Sequence, residues 1–340
     1  MAIVKAEAYG HGADAVARKL RDAGVDTFAV ATAEEGVSLR KSGLSGEILV
    51  LGYTHPRDAA CLNENNLTQL LADGAHAKTL DASGHKLRVH IAVDTGMHRL
   101  GIDSAEFTAI EDIYKFRNLS VEGMATHLAS SDSLNPDDVA FTKAQLDRFG
   151  AVVGELKSKG HDVGKLHTQA SYGLLNYPGL ECDYARVGIA LYGVLSHGSA
   201  IIAAPALKPV LSLRATITRV QSIGAGETVS YGRLFMAERP AKIATVGIGY
   251  ADGIPRQASG NGMQCLVAGQ RVPVIGRICM DMLMLDVTGI DCVATGDVVT
   301  LIGRDGDSEI RCEELAAAAG TITNDILCRL GSRLPRVYTG

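Results

Sequence analysis

The sequence contains no tryptophan, and aromatic residues make up only 5% of its 340 positions. It lacks an apolar run near the roughly 20 residues that a membrane-spanning helix needs, and no signal-peptide pattern opens it. The net charge of −5 comes without a block of lysines and arginines, so neither nucleic acid nor an anionic membrane surface is indicated as a partner. For the sequence as given, we expect a cytoplasmic protein that acts on small molecules.

Cysteine is present without a recognisable pattern. The seven cysteines are an odd number, widely spread, with no C-x-x-C pair and no cysteine–histidine zinc spacing. We interpret them as reduced thiols. Ten histidines raise the alternative of a metal-dependent barrel hydrolase, but no H-x-H closes a predicted strand and carboxylates do not end the other strands as such a site needs. We therefore expect no metal.

Apolar, β-rich runs alternate with amphipathic stretches through the first part of the chain. One such stretch, residues 137–159, has helical spacing and is closed by Gly160. Apolar strands that are each followed by a helix predict a parallel sheet covered on its outside. Eight such repeats would close a (β/α)8 barrel, and an open doubly wound sheet is the alternative. The eight runs are residues 3–9, 27–32, 47–52, 67–73, 88–94, 121–127, 165–171 and 184–192.

The amino-acid composition changes after Gly193. Small residues and prolines give way to β-branched runs separated by glycine turns, with one clear helix predicted at 312–319 and a helical tail at 325–330. The predicted fold is of the α/β class, with an N-terminal (β/α)8 barrel over residues 1–200. A mostly β C-terminal domain follows over residues 201–340.

Polar residues gather near the ends of the predicted barrel strands. In a (β/α)8 barrel the carboxyl ends of the strands form the face where active sites are built. Each residue also has a structural interpretation, such as a surface lysine, a core histidine or a surface ion pair. The residues concerned are Lys5, Tyr9, Arg99, His127, Ser171 and Arg186.

Lys5 is the most informative of these residues. Apolar residues flank it on both sides, so its amine would be partly desolvated, which favours the neutral form that attacks an aldehyde. The Ser171 hydroxyl, with the backbone N–H groups of Gly188 and Ile189, could hold a phosphate. The sequence therefore predicts an active site that combines an amine nucleophile with an anion-binding loop.

The segment VKAEAYGHG around Lys5 resembles the lysine motif of alanine racemases, which depend on pyridoxal 5′-phosphate (PLP). The resemblance continues in the family's order through DTGMHRLG, ATHLASSD, SYGLLNYP, YARVGIALYG, ETVSYG, VGIGYADG, GRICMDMLMLDVT and SRLPRVY. It covers essentially the whole chain. It implies an amino-acid racemase that works as a head-to-tail homodimer, with active sites built from both subunits.

The resemblance also implies how the cofactor is held. Lys5 would carry it, Arg186 would face its pyridine nitrogen, and Arg99 would face its phenolic oxygen. Because a guanidinium does not release its proton, the ring would be a weaker electron sink than a protonated pyridinium, which suits racemisation. The full set of implied cofactor-binding residues is Lys5, Tyr9, Arg99, His127, Ser171, Arg186, Gly188 and Ile189.

Inversion at a stereocentre needs two bases on opposite faces. By resemblance, Lys5 serves one face and Tyr231 of the partner subunit serves the other, with His127 hydrogen-bonded to that tyrosine. The implied catalytic residues are Lys5, Tyr231, His127 and Arg186. The substrate carboxylate would meet Arg99 and the Met280 N–H group, and Tyr250 and Asp281 would shape the entrance.

Two positions depart from the family pattern. Ala92 stands where many family members carry a lysine, which orients the arginine at the position of Arg99. Asn324 stands where a tyrosine is usual, and its smaller amide would leave room for the hydroxymethyl group of serine. The alternative is that Asn324 only caps a helix beginning at Asp325.

Asn324, together with the segments SYGLLNYP and CDYARVGIALYG, makes the chain resemble the racemase domain of the membrane-bound serine racemases of vancomycin resistance, which a transmembrane domain precedes. We therefore expect a racemase of alanine, serine or both, supplying D-amino acid for peptidoglycan precursors. A membrane-anchored parent, with this chain as its cytosolic domain, is a second expectation. The alternatives are a strict alanine racemase, a non-catalytic PLP-binding barrel protein and a barrel-type PLP decarboxylase.

Overall fold

A computed structural model of the chain describes residues 1–198, 200–203 and 205–339. The chain folds as two compact units. The first, which we call the barrel unit, consists mainly of Met1–Ala8 and Gly12–Leu191. The second, the β unit, consists of Tyr9–His11, Tyr192–Gly198 and the chain from Leu207 onward.

The barrel unit is built on a parallel sheet in the order β1-β2-β3-β4-β5-β7-β8, with β6 paired to β5. The eighth predicted run contributes a bridge between Val187 and Ala2, and the Val187 N–H group donates to the Met1 carbonyl at 3.0 Å. This bridge returns the chain to β1, which confirms the predicted barrel-like fold. The strands are β1 (Ala2–Ile3), β2 (Thr27–Val30), β3 (Glu47–Val50), β4 (Thr68–Leu71), β5 (Leu87–Asp94), β6 (Ile102–Asp103), β7 (Leu119–Ala125) and β8 (Lys165–His167).

Helices cover the outside of this sheet. Because helices and barrel interior enclose the strands on both sides, β2 is buried along its whole length. The long helix predicted at 137–159 spans Pro136–Ser158, with proline in its first turn and two aspartates after it. The helices are α1 (Ala13–Asp22), α2 (Ala33–Lys41), α3 (Ala59–Glu64), α4 (Gly74–Ala82), α5 (Phe107–Asp112), α6 (Pro136–Ser158) and α7 (Ser171–Asn176).

The β unit is mostly antiparallel sheet, as predicted. Seven strands follow the order β13-β14-β15-β12-β9-β16-β17, and β13 also pairs with β16, which closes six of them into a ring. A small sheet pairs β10 with β11. The strands are β9 (Leu213–Ile223), β10 (Thr228–Val229), β11 (Phe235–Met236), β12 (Ala241–Val246), β13 (Gln264–Val267), β14 (Gln270–Ile275), β15 (Leu283–Asp286), β16 (Val298–Asp305) and β17 (Ser308–Ile310).

Two helices complete the β unit. Helix α8 spans Cys312–Ala319, the predicted range, and α9 spans Thr323–Arg329, beginning two residues before the predicted tail. Within the described ranges, no helix has the length and apolar character needed to cross a membrane. The cellular location, the membrane-anchored parent and the domain boundary at residue 200 stay predictions.

Candidate active site

The chain turns in an unusual way directly after Lys5. Residues 6–8 have φ values of 52° to 54°, a left-handed conformation that costs non-glycine residues about 1–2 kcal/mol each. The Glu35 carboxylate stabilises this turn, since it accepts hydrogen bonds from the N–H groups of Ala6 and Ala31, both at 2.7 Å. Glu35 therefore ties the turn at Lys5 to the end of the neighbouring strand. Sequence reasoning gave Glu35 no role.

Arg186 is the most heavily hydrogen-bonded of the predicted site residues. Its buried guanidinium donates to the carbonyls of Thr126 at 2.7 Å, His167 at 2.7 Å and Thr168 at 3.0 Å. It also donates to Nδ1 of His127 at 3.0 Å and Nδ1 of His167 at 2.7 Å. Burial lowers the pKa of Arg186 to about 10. The guanidinium therefore keeps its charge at neutral pH, and all five acceptors are uncharged groups.

His127 follows β7 and lies beside Arg186. Burial lowers the pKa of His127 to about 3, and the charges of Arg186, Arg99 and Lys5 act in the same direction. The ring is therefore neutral and carries one proton. Because Nδ1 accepts from Arg186, the proton is on Nε2, and His127 offers an N–H group to an acceptor beyond it.

The predicted phosphate loop is assembled at the first turn of α7. The Ser171 hydroxyl accepts from the Gly188 N–H group at 3.0 Å and from the Ala190 N–H group at 3.3 Å. Ile189, between them, begins a 3-10 helix that ends at Tyr192. Ser171, Gly188 and Ile189 are all buried. The structure therefore brings the three barrel residues of this prediction together.

Arg99 lies in an exposed loop after β5, and Ala92 is buried within that strand. Among the residues described, the Arg99 side chain has no hydrogen bond or ion pair. Its loop is nevertheless fixed, because one oxygen of Asp94 accepts from the three N–H groups of residues 96–98 at 2.9 to 3.1 Å. The Asp94 carboxylate, which the sequence analysis did not single out, holds the backbone that leads to Arg99.

In the β unit, Tyr231, Tyr250 and Met280 lie on segments that converge at Cys279. The Ser230 hydroxyl lies 3.5 Å from the Cys279 sulfur, and the Tyr250 N–H group donates to the Cys279 carbonyl at 3.0 Å. Tyr231 is 69% exposed, and Tyr250 and Met280 are also exposed. The structure therefore gathers these three predicted residues in one exposed region.

A glycine and an arginine hold this region together. A Cβ atom on Gly249 would collide with the carbonyl oxygens of Cys279 and Met280, so the close approach requires glycine. Arg333 pairs with Asp281 at 2.8 Å and with the buried Asp252 at 3.2 Å. Asp281 therefore sits in an ion pair. Sequence reasoning assigned no role to Gly249 or Arg333.

Tyr9 is buried in the β unit against α9. Burial raises the pKa of Tyr9 to about 12, and the Cys328 thiol adds to the shift. The phenol therefore stays protonated and can donate a hydrogen bond. A Cβ atom on Gly10 would collide with the Leu327 carbonyl, so the glycine after Tyr9 permits this close approach to α9.

Asn324 lies inside the first turn of α9. The helix begins at Thr323, with Ile322 at the N-cap position. The alternative that Asn324 caps a helix beginning at Asp325 is therefore wrong. Its Oδ1 atom is buried and has no hydrogen-bond partner among the residues described. A buried acceptor without a partner lowers the stability of the folded protein by about 1–3 kcal/mol unless a ligand donates a hydrogen bond to it.

Two family models match the chain. The N-terminal domain of alanine racemase matches residues 1–196, and its C-terminal domain matches residues 210–338. The solved structure of alanine racemase from E. faecalis superposes with a TM-score of 0.90 at 32% identity, covering 100% of this chain and 91% of that one. The fold thus defines a protein with a racemase-type barrel and β domain. The chain belongs to the alanine racemase family.

Curated relatives agree with this assignment. An amino-acid racemase of Enterococcus faecalis is 42% identical over 98% of this chain and 47% of its own length. A serine/alanine racemase of Enterococcus gallinarum is 38% identical with the same coverage. An alanine racemase of Geobacter sp. (strain M21) is 41% identical over 100% of this chain and 92% of its own length. The chain therefore spans about half the length of the Enterococcus relatives.

Proposed function

We propose that this chain is a PLP-dependent racemase of alanine and serine. The observation that carries the proposal is the cluster in the barrel unit. There Lys5 lies two residues after the end of β1, Arg186 is buried with its charge retained, and a neutral His127 lies against Arg186. Two cations beside a neutral imidazole at the carboxyl ends of barrel strands make a site for an anionic ligand.

The residues present fit PLP. The charges of Arg186, Arg99 and Lys5 all disfavour protonation of His127, and an anionic group among them would relieve this excess positive charge. The Ser171 hydroxyl lies beside the backbone N–H groups of Gly188 and Ala190, and Ser171, Gly188 and Ile189 would bind the phosphate. Tyr9 is a further residue proposed for the phosphate. When bound, PLP would stabilise negative charge at the substrate Cα. Arg186 would face its ring nitrogen without giving up a proton.

Two bases would move the proton at Cα. Lys5 would act on one face, and Tyr231 of the partner subunit on the other. His127 supports this arrangement because its Nε2–H group can donate to a phenolate oxygen. Racemisation then needs only removal of one proton and return of another on the opposite face, with no change in oxidation state.

A homodimer with shared sites is part of the proposal. Tyr231 is 69% exposed in the single chain, and large apolar side chains around it are exposed as well. Exposed apolar surface of this kind is typical of an interface. The neighbouring exposed residues are Leu234, Met236, Met280 and Met282.

Substrate recognition is proposed for the remaining predicted residues. Arg99 and the Met280 N–H group would bind the carboxylate, and Tyr250 and Asp281 would border the entrance, with Asp281 held by Arg333. The unsatisfied Oδ1 atom of Asn324 could accept the hydroxyl proton of serine. The names of the Enterococcus gallinarum and Geobacter relatives support serine and alanine as substrates. The product D-amino acid would serve peptidoglycan precursors.

Chiral chromatography of L-alanine and L-serine after incubation with the purified protein and PLP tests this proposal. We expect both D-enantiomers to form, and Lys5→Ala to abolish their formation. Lys143→Ala, at an exposed position of α6, is the matched control and should retain activity. Full racemisation by Lys5→Ala would refute the proposed role of Lys5. Formation of D-alanine alone would leave a strict alanine racemase, and carbon dioxide release would indicate a decarboxylase.

A further inference from the structure

A chain of four polar side chains runs through the barrel unit from Arg186 to Glu47. Nη1 of Arg186 lies 2.7 Å from Nδ1 of His167, and Nε2 of His167 lies 2.8 Å from Nδ1 of His90. Nε2 of His90 in turn lies 3.3 Å from a carboxylate oxygen of Glu47. His90 and His167 are 1% and 0% exposed. The proposed function uses Arg186 but gives no role to the other three residues.

The order of donors and acceptors along this chain is fixed by chemistry. A guanidinium can only donate, so Nδ1 of His167 must be an acceptor and its proton must be on Nε2. That proton is donated to Nδ1 of His90, which places the His90 proton on Nε2, facing Glu47. One arrangement of protons therefore satisfies every link from the cation to the carboxylate.

The charges at the two ends agree with this arrangement. Burial lowers the pKa of His167, and the Arg186 charge lowers it further, so the ring is neutral. Burial alone would raise the pKa of Glu47, but the contacts with His90, Tyr184 and Arg88 together outweigh it, and the net pKa is lowered. The Tyr184 hydroxyl also donates to Glu47 at 3.3 Å. Glu47 is therefore charged at neutral pH.

We propose that Glu47 is a positioning residue for Arg186, acting through the tautomers of His90 and His167. Because Glu47 is negatively charged, the rings of His90 and His167 both keep their protons on Nε2, and Arg186 faces an acceptor. Without that charge, the reversed tautomers become accessible, and an N–H group of His167 would face a guanidinium N–H group at 2.7 Å. Two donors cannot remain at that distance, so Arg186 would shift. This inference rests on the proposed function, which gives Arg186 its role at the cofactor.

Nuclear magnetic resonance of the full chain with 15N-labelled histidine tests the tautomers directly, before and after addition of PLP. We expect His90 and His167 each to carry a single proton on Nε2 in the unaltered protein. Glu47→Gln should change the 15N signals of both rings and lower kcat by about tenfold or more, with KM changed less than about twofold. Glu111→Gln is the matched control, because Glu111 also contacts a histidine, His161 at 3.1 Å, near the surface. Its kcat and the signals of His90 and His167 should stay unchanged.

A second pair of variants covers the case in which Glu47→Gln does not fold. A glutamine at position 90 has an oxygen and an N–H group spaced much as the two ring nitrogens are, so His90→Gln should keep the His167 tautomer and most of kcat. His90→Leu should lose both the single His167 tautomer and most of kcat. A proton on Nδ1 of His167 in the unaltered protein would overturn the inference, as would Glu47→Gln with unchanged histidine signals and unchanged kcat. If the unaltered protein does not racemise amino acids, the proposed function fails, whereas the tautomer result is still read from the histidine signals.

Discussion

Replacing Arg186 with lysine should destabilise the protein far more than a conservative change of charge usually does. The two Nη groups carry four protons and contact five buried or half-buried acceptors, so one proton is shared, whereas an ammonium has three protons. At least one further acceptor would therefore lose its donor. At about 1–3 kcal/mol for each buried group left unpaired, the free energy of unfolding should fall by at least about 1–3 kcal/mol.

Urea denaturation of the full chain without added PLP measures this change. Arg18→Lys is the control, because Arg18 forms an exposed ion pair with Asp14 on α1, and such pairs contribute little. It should leave the free energy of unfolding unchanged to within about 0.5 kcal/mol. If Arg186→Lys were as stable as Arg18→Lys, the hydrogen bonds of Arg186 would not be the stabilising contacts that we describe.

Three further predictions concern the substrate, the β unit and pH. Asn324→Leu removes a buried unpaired acceptor, so it should raise the free energy of unfolding by about 1 kcal/mol. It should also lower kcat/KM for serine relative to alanine roughly tenfold, and an unchanged ratio would remove Asn324 from substrate choice. Gly249→Ala should lower thermal stability, whereas Gly289→Ala, with open space around it, should not; equal melting temperatures would contradict the steric argument. Because the pKa of His127 is lowered from 6.5 to about 3, the unfolded chain binds a proton that the folded chain does not. The free energy of unfolding of the chain without PLP should therefore decrease as the pH is lowered from 6.5 to 3, and His127→Gln should weaken that dependence. Identical pH profiles for the unaltered protein and His127→Gln would refute this.

The repeated elements of the fold could be predicted from sequence because each strand and helix carries its own pattern. The helix at 137–159 and the helix at 312–319 appear within one residue of the predicted bounds. The eighth run is different, since it forms a single bridge to β1 and then a 3-10 helix. Ile189 and Tyr192 of this run are buried, and burial alone does not distinguish a strand from a tight turn.

Residues that act through long-range contacts could not be predicted. Glu47 and His90 lie in apolar strand runs, where a polar residue has no local signature, and they meet His167 only because β3, β5 and β8 belong to one sheet. The left-handed turn after Lys5 is likewise absent from the propensities of alanine and glutamate, which favour a right-handed helix. The roles of Lys5, Tyr231 and the other site residues stay predictions.

The central claim is that each active site is built from residues of both subunits, and an isolated hybrid dimer tests it most directly. Lys5→Ala and Tyr231→Phe chains, coexpressed with different affinity tags, would form hybrids that pair the intact Lys5 of one subunit with the intact Tyr231 of the other at one site. If the sites are shared, the purified hybrid should show about half of the unaltered dimer's racemase activity, although each variant alone is inactive. A hybrid no more active than either variant alone would contradict the account.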